Sequence, residues 1–217
     1  MAFTLLKEDD AKAAIKTLLE SYPDAKYYLD FTTPLELLVA AILSAQTHDE
    51  VVNAATPELF MKYKNAADYA KARPEDLLKY IGRVSFAGNK AKNIIGACKI
   101  INGRFSCSVP RRMEDLVELP GIGRKTANTI LINAFGIVEG IPVDTWVIKL
   151  SHRIGLSRES DPDKIEHDLA LLLVKKQWKK IAYVLKSHGK KICRQVPVCS
   201  ACMISGICPK NDVKKRL

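Results

Sequence analysis

The stretch that most constrains the fold is Thr33 to Leu43, TPLELLVAAIL. Its first residues form a helix start. The Thr33 hydroxyl can accept from an N–H of the first turn, Pro34 loses nothing by lacking an N–H there, and the Glu36 carboxylate can turn back to the cap. Leu37 to Leu43 then present apolar side chains on every face. A helix with no side for water has to be surrounded by other elements. Those elements are expected to be helices as well. Apolar residues recur at helical spacing over 9–21, 49–63, 66–71, 75–81, 89–102, 113–118, 124–135, 145–154, 162–173 and 178–188. No convincing period-two strand and no internal repeat accompanies them. Asn102-Gly103 should stop one helix and Gly155 another, while Asp161-Pro162 should start the next. The expected class is all-α.

The 217 residues suffice for one or two modest cores. Lys plus Arg number 34 against 24 Asp plus Glu, a net charge of +10 that favours a polyanionic partner. The imbalance is concentrated. Between Asp168 and Asp212 there is no acid, yet Lys175, Lys176, Lys179, Lys180, Lys186, Lys190, Lys191, Arg194 and Lys210 fall there. A solvated face would normally mix signs, so nucleic acid is the favoured partner. No signal peptide and no apolar run of the roughly 18 residues a membrane span needs is present. A soluble, cytoplasmic protein is expected, nucleoid-associated in a prokaryote, with no membrane partner. In such a compartment six cysteines point to metal ligation or buried thiols rather than disulfides.

Two places carry chemistry. Leu119-Pro120-Gly121-Ile122-Gly123 separates two amphipathic runs, and its glycines permit a tight turn and close approach of a partner. The helix after it opens with unpaired N–H groups suited to a phosphate oxygen, beside Arg124 and Lys125. Taken alone, the hairpin is equally a packing turn, Lys125 a phosphate contact, and Asp144 a helix N-cap. Near the end, Cys193, Cys199, Cys202 and Cys208 are spaced C-x5-C-x2-C-x5-C. Four thiolates in so short a loop can close around one metal centre, and spacing alone does not choose between a four-cysteine zinc site and an iron–sulfur cluster. Cys98, on a helix, and Cys107, in a loop, are expected to be ordinary thiols.

LPGIGRKTAN at 119–128, AFG at 134–136, VDT at 143–145, LSAQTHD at 43–49, NKAKNI at 89–94 and the clustered cysteines together resemble the endonuclease III family of helix–hairpin–helix DNA glycosylases. The resemblance runs over nearly the whole chain. It implies two helical lobes flanking a DNA-binding cleft: a six-helix barrel of about 27–137 with the hairpin, and an iron–sulfur domain of 1–26 plus 138–217. It further implies a bifunctional glycosylase and AP lyase, acting as a monomer on duplex DNA that contains damaged bases, oxidised pyrimidines foremost, or abasic sites. Lys125 aligns with the family nucleophile and Asp144 with its catalytic carboxylate. Gly121, Gly123 and Arg124 would hold DNA, Gln46 and Phe86 would fill the space left by a flipped base, and Asp49 and Asn53 would line the base pocket. Cys193, Cys199, Cys202 and Cys208 would hold a structural [4Fe–4S] cluster, with no catalytic metal.

The chemistry suits these residue types. Base loss develops positive charge on the sugar, which a fixed carboxylate stabilises and a neutral amine can trap at C1′. At a lysine's ordinary pKa of ~10.4, on the order of one amine in two thousand is neutral near pH 7, so the site has to supply burial or cationic neighbours. Three departures from the family pattern stand out: a first cysteine gap of five residues where six is usual, Phe86-Ala87-Gly88 in the wedge loop, and Trp146 where histidine commonly follows VDT. A mismatch-directed thymine or uracil glycosylase is the nearest rival, and several such relatives lack a lysine at position 125. An adenine glycosylase and a non-catalytic DNA-binding module are further alternatives.

Overall fold

Helix α2 (Pro34–Ser44) starts as the sequence predicts. Thr33 Oγ1 accepts from the N–H of Glu36 at 3.1 Å, and Glu36 Oε2 accepts from the N–H groups of Thr33 at 3.3 Å and Thr32 at 2.6 Å. Leu37 to Leu43 are all buried. The structure, a computed structural model, describes residues 3–217. The chain divides into two compact units, Tyr28–Ile137 and the residues up to Tyr27 together with Val138–Leu217. The described residues form helices and no strand, so the all-α expectation holds.

In the Tyr28–Ile137 unit, α2 is enclosed by α3 (Asp49–Lys62), α6 (Ala87–Arg104) and α8 (Arg124–Ile130). The short helices α4 (Ala66–Lys71) and α5 (Pro74–Ile81) pack on α6, and α7 (Met113–Val117) packs on α8. The other unit joins α1 (Glu8–Ser21) to α9 (Thr145–Ile154), α10 (Pro162–Leu172) and α11 (Lys175–Lys191), followed by a 3-10 turn at Cys199–Ala201. Its core is apolar side chains from all four helices, among them Ile15, Leu18, Leu150, Ile165, Ile181 and Leu185. Buried Asn211 ties the segment ends together, donating to the carbonyls of Thr4 at 2.8 Å and His152 at 2.9 Å. No described helix is long and apolar enough to cross a membrane.

Three elements differ from the sequence expectation. Helix α6 does not stop at Asn102-Gly103 but runs on to Arg104, and the Phe105 N–H closes onto Ile101 O at 3.1 Å. A helical glycine costs only ~1 kcal/mol against alanine, less than burying Ile94, Cys98 and Ile101 on this helix contributes. Helix α11 extends beyond 178–188 in both directions. Its flanking lysines keep their heads in water while Ile181, Val184 and Leu185 face inward. Finally, the expected helix 124–135 is α-helical only to Ile130, and Leu131–Phe135 is one π turn ended by Gly136 at φ 68°. Side chains have entered its backbone ladder: Thr129 Oγ1 donates to Lys125 O at 2.9 Å and Asn133 Nδ2 to Thr129 O at 2.7 Å.

At Gly189 in α11, an added Cβ would collide with the indole ring of Trp146 and come within 3.0 Å of Leu150 Cδ2. Gly189→Ala gains ~1 kcal/mol of helix propensity, but overpacking typically costs ~1–3 kcal/mol. Denaturant unfolding should therefore show a net loss of about 1 kcal/mol or more, made smaller when Trp146 is also replaced by leucine.

Candidate active site and metal centre

The hairpin between α7 and α8 is held by two short turns, Leu119 N–H to Leu116 O at 3.1 Å and Ile122 N–H to Leu119 O at 3.0 Å, with Leu119 and Ile122 buried. Its two glycines differ. Gly121 has φ 82°, and a Cβ there would meet the Asn93 side chain at 3.0–3.3 Å, so the fold itself requires glycine. Gly123 is extended at φ −96°, and a Cβ would meet nothing within 4 Å. It is the N-cap of α8 and supplies no side-chain bond to the first turn. Arg124, exposed, and Lys125, half-buried, are the first two residues of that helix.

The same unit carries the four other candidates. After α2, Gln46 is exposed with φ 52°; before α6, Phe86 has φ 56° and is 64% exposed. Left-handed backbone costs an ordinary residue ~1–2 kcal/mol, so two such positions imply surroundings that enforce them. Phe86 is thus no core aromatic. Asp49 is the first residue of α3 and half-buried. Asn53 has a different employment: its Oδ1 accepts from Asp30 N–H at 3.1 Å and its Nδ2 donates to Tyr28 O at 3.0 Å. Its amide clamps the segment leading to α2.

The second unit carries Asp144 and the cysteines. Asp144 is the N-cap of α9, its Oδ1 accepting from Trp146 N–H and Val147 N–H, each at 2.9 Å. Both bonds fall on one oxygen, so the cap fixes the carboxylate and leaves Oδ2 able to accept from another group. Trp146 packs its ring against Gly189, with Lys149 Nζ 5.0 Å from the ring centre.

Cys193, Cys199, Cys202 and Cys208 line one small cavity together with Ile154, Ile192 and Val198. All four are free thiols and half-buried, and burial pushes the thiols of Cys202 and Cys208 up. Among the described residues, no group of three or more His, Cys, Asp or Glu side chains could hold a metal ion as placed. The loop is organised by residues the sequence does not single out. Buried Arg153, in the last turn of α9, donates from Nη1 to Cys193 O at 3.1 Å, Arg194 O at 2.6 Å and Cys193 Sγ at 3.5 Å, and from Nη2 to Gln195 O at 3.2 Å. Thus it grips the shortened Arg194–Val198 gap. Lys210 Nζ donates to Ser205 O at 2.6 Å and Cys208 O at 3.0 Å. His188 lies between Tyr22 Oη, 2.9 Å from Nδ1, and Cys202 Sγ, 3.6 Å from Nε2. Burial lowers its pKa to about 4, so at neutral pH it is an uncharged imidazole. No described carboxylate pairs with Arg153. A buried cation facing thiols fits a centre of anionic thiolates, whose charge it offsets. In sequence, Arg153 looks only like a cation at a helix end. Cys98 is buried with its thiol pushed up to about 12, and Cys107 is exposed.

The family model of the HhH-GPD superfamily base excision DNA repair proteins matches residues 39–175. Endonuclease III of Synechocystis sp. is 43% identical over 204 residues, covering 94% of this chain and 93% of its own. That of Bacillus subtilis is 39% identical over 199 residues, covering 91% and 90%. The chain belongs to the endonuclease III family. A solved structure described as a trapped endonuclease III–DNA covalent intermediate superposes with a TM-score of 0.91 at 34% identity, covering 95% of this chain and 97% of its own. A thermostable thymine-DNA glycosylase, at 21% identity and TM-score 0.83 over 93% and 96%, shares the fold.

Outer-shell partners of metal ligands typically contribute about 10-fold or more in metal affinity. Arg153→Met should accordingly release metal to a chelator at least about tenfold more readily than the wild type, measured as metal retained per chain by elemental analysis.

Proposed function

We propose that this chain removes oxidised pyrimidines from duplex DNA and then cuts 3′ to the abasic site, with Lys125 as the nucleophile and Asp144 as the supporting carboxylate. As a member of the endonuclease III family, it is a DNA glycosylase with AP-lyase activity in base excision repair. The observation that carries the residue assignment is the hairpin. Gly123 leaves open space where the fold needs none, directly before a helix whose second residue is a half-buried lysine. Phosphate oxygens approaching Gly121 and Gly123 would meet the first N–H groups of α8 and the Arg124 guanidinium.

The neutral amine of Lys125 adds to C1′ as the C1′–N bond breaks and the base leaves with the bonding pair. Asp144 is held by its own helix and stabilises positive charge developing on the sugar. A proton then passes from the Lys125 nitrogen to O4′ as the C1′–O4′ bond breaks and the sugar ring opens, giving a protonated imine, which makes the C2′ proton acidic. Its removal expels the 3′ phosphate as the C3′–O3′ bond breaks, and water releases Lys125. Gln46 and Phe86 occupy the vacated stack, and Asp49 contacts the extruded base, offsetting the few kcal/mol that flipping costs.

Cys193, Cys199, Cys202 and Cys208 are proposed to hold a [4Fe–4S] cluster, which supplies structural cross-linking and local charge rather than hydrolysis. Within the basic run the lysines fall into different classes. Lys186 is buried and Lys180 is bonded to Pro23 O, whereas Lys175, Lys176 and Lys179 are exposed and are proposed to meet phosphates.

Three measurements test this reading. Purified protein should be yellow-brown with absorbance near ~400 nm, and colourless protein carrying zinc would replace the cluster assignment. Gly123→Ala should leave thermal stability within about 1 kcal/mol yet weaken duplex binding, while Gly121→Ala should destabilise the fold directly. Thymine glycol opposite adenine should be excised, at rates within about tenfold of those opposite guanine. Processing only of undamaged thymine opposite guanine would instead establish mismatch repair as the activity.

A further inference from the structure

We propose that Lys90 is a positioning residue that holds the segment carrying Gln46 in one preset conformation; the inference rests on the wedge assignment given above. Lys90 lies in the second turn of α6 and is only 5% exposed, whereas Lys92, two residues on, is exposed. Its backbone N–H donates to Phe86 O at 3.1 Å. Its ammonium crosses to the end of α2 and donates to Leu43 O at 2.7 Å, Ala45 O and Thr47 Oγ1 at 2.9 Å. Its side chain therefore bonds on both sides of Gln46, which is held on left-handed backbone.

The chemistry of the match is specific. The ends of helices leave carbonyls without intrahelical partners, and a cation at a C-terminus is favourable. An ammonium has three N–H groups, and here it meets three acceptors. Ala45 and Thr47 flank Gln46 directly, so the bonds pin the chain on both sides of the residue whose φ is 52°. Burial alone lowers the Lys90 pKa to about 8, so the charge is retained at neutral pH despite its desolvation. A methionine would fill the same space without that desolvation. The amine is kept for what it holds, and what it holds is the carbonyls of Leu43 and Ala45 before Gln46 and the Thr47 hydroxyl after it. Because strained backbone persists only where neighbours over-determine it, loss of the ammonium should let the Gln46 segment relax while the hairpin carrying Lys125 stays formed.

A purely structural lysine would weaken every activity alike, so the test compares substrates. Lys90→Met is assayed by single turnover on thymine glycol opposite adenine and on an abasic duplex. Excision of the base should fall about tenfold or more, because misplaced positioning groups cost that much, with abasic cleavage within about threefold of wild type. Thr47→Val, a milder variant that removes one acceptor, should show the same selectivity at smaller size. Because coupled residues are not additive, Lys90→Met should lower excision by less than about twofold in a Gln46→Ala background. Equal losses on both duplexes, or losses that add fully in the double variant, would overturn the proposal. A third reading is independent of chemistry. With 2-aminopurine opposite a stable abasic analogue, binding of wild type should raise its fluorescence as the stack is filled and the probe displaced, and Lys90→Met should abolish most of that rise. If wild type excises no oxidised pyrimidine, the substrate reading fails, and this fluorescence still decides the inference: an unchanged rise in Lys90→Met refutes it.

Discussion

Backbone groups at helix ends that have lost their intrahelical partners have to find others, and in this chain the carboxylate proposed for catalysis sits where that is done. Thr33 and Glu36 close the start of α2, and Lys90 takes carbonyls at its end. Asp144 closes the start of α9 with the carboxylate assigned to catalysis. Arg153, at the end of α9, takes the carbonyls that follow α11. Helix α8 begins at Gly123, which offers no side chain, directly before Arg124 and Lys125.

That arrangement reconciles stability with reactivity. A capping carboxylate is immobile without being used up, since Asp144 gives one oxygen to two N–H groups. Its position is set by folding and needs no reorganisation during reaction, which is what electrostatic stabilisation of a developing charge requires. The cysteine loop follows the same logic on a larger scale. The first gap of five residues is held in shape by Arg153, which fastens three consecutive carbonyls within and beside it.

Much of the helical order is legible because it is written in local signals. Thr33-Pro34-Leu35-Glu36, Asp144 and Asp161 all cap the helices their positions predict. What escapes are outcomes decided by distant packing. Gly103 is a stop signal in isolation, yet the buried face of α6 overrides it. The π turn after Ile130 depends on which way Thr129 and Asn133 rotate, and composition does not specify that. Asn53 reads as a pocket residue, but its amide meets Tyr28 and Asp30, more than twenty positions earlier in the chain. Lys90 and Arg153 are invisible in the sequence for one shared reason. A buried cation whose partners are carbonyls leaves no charge pattern, because every residue carries a carbonyl.

The amine of Lys125 is proposed to be the group that bonds to the sugar. Borohydride trapping of the protein on an abasic duplex, followed by proteolysis and mass spectrometry of the DNA-linked peptide, addresses it directly. A reduced sugar adduct is expected on the peptide containing Lys125. An adduct carried by Lys90, by the N-terminal amine or by any other lysine, with Lys125 unmodified, would contradict it.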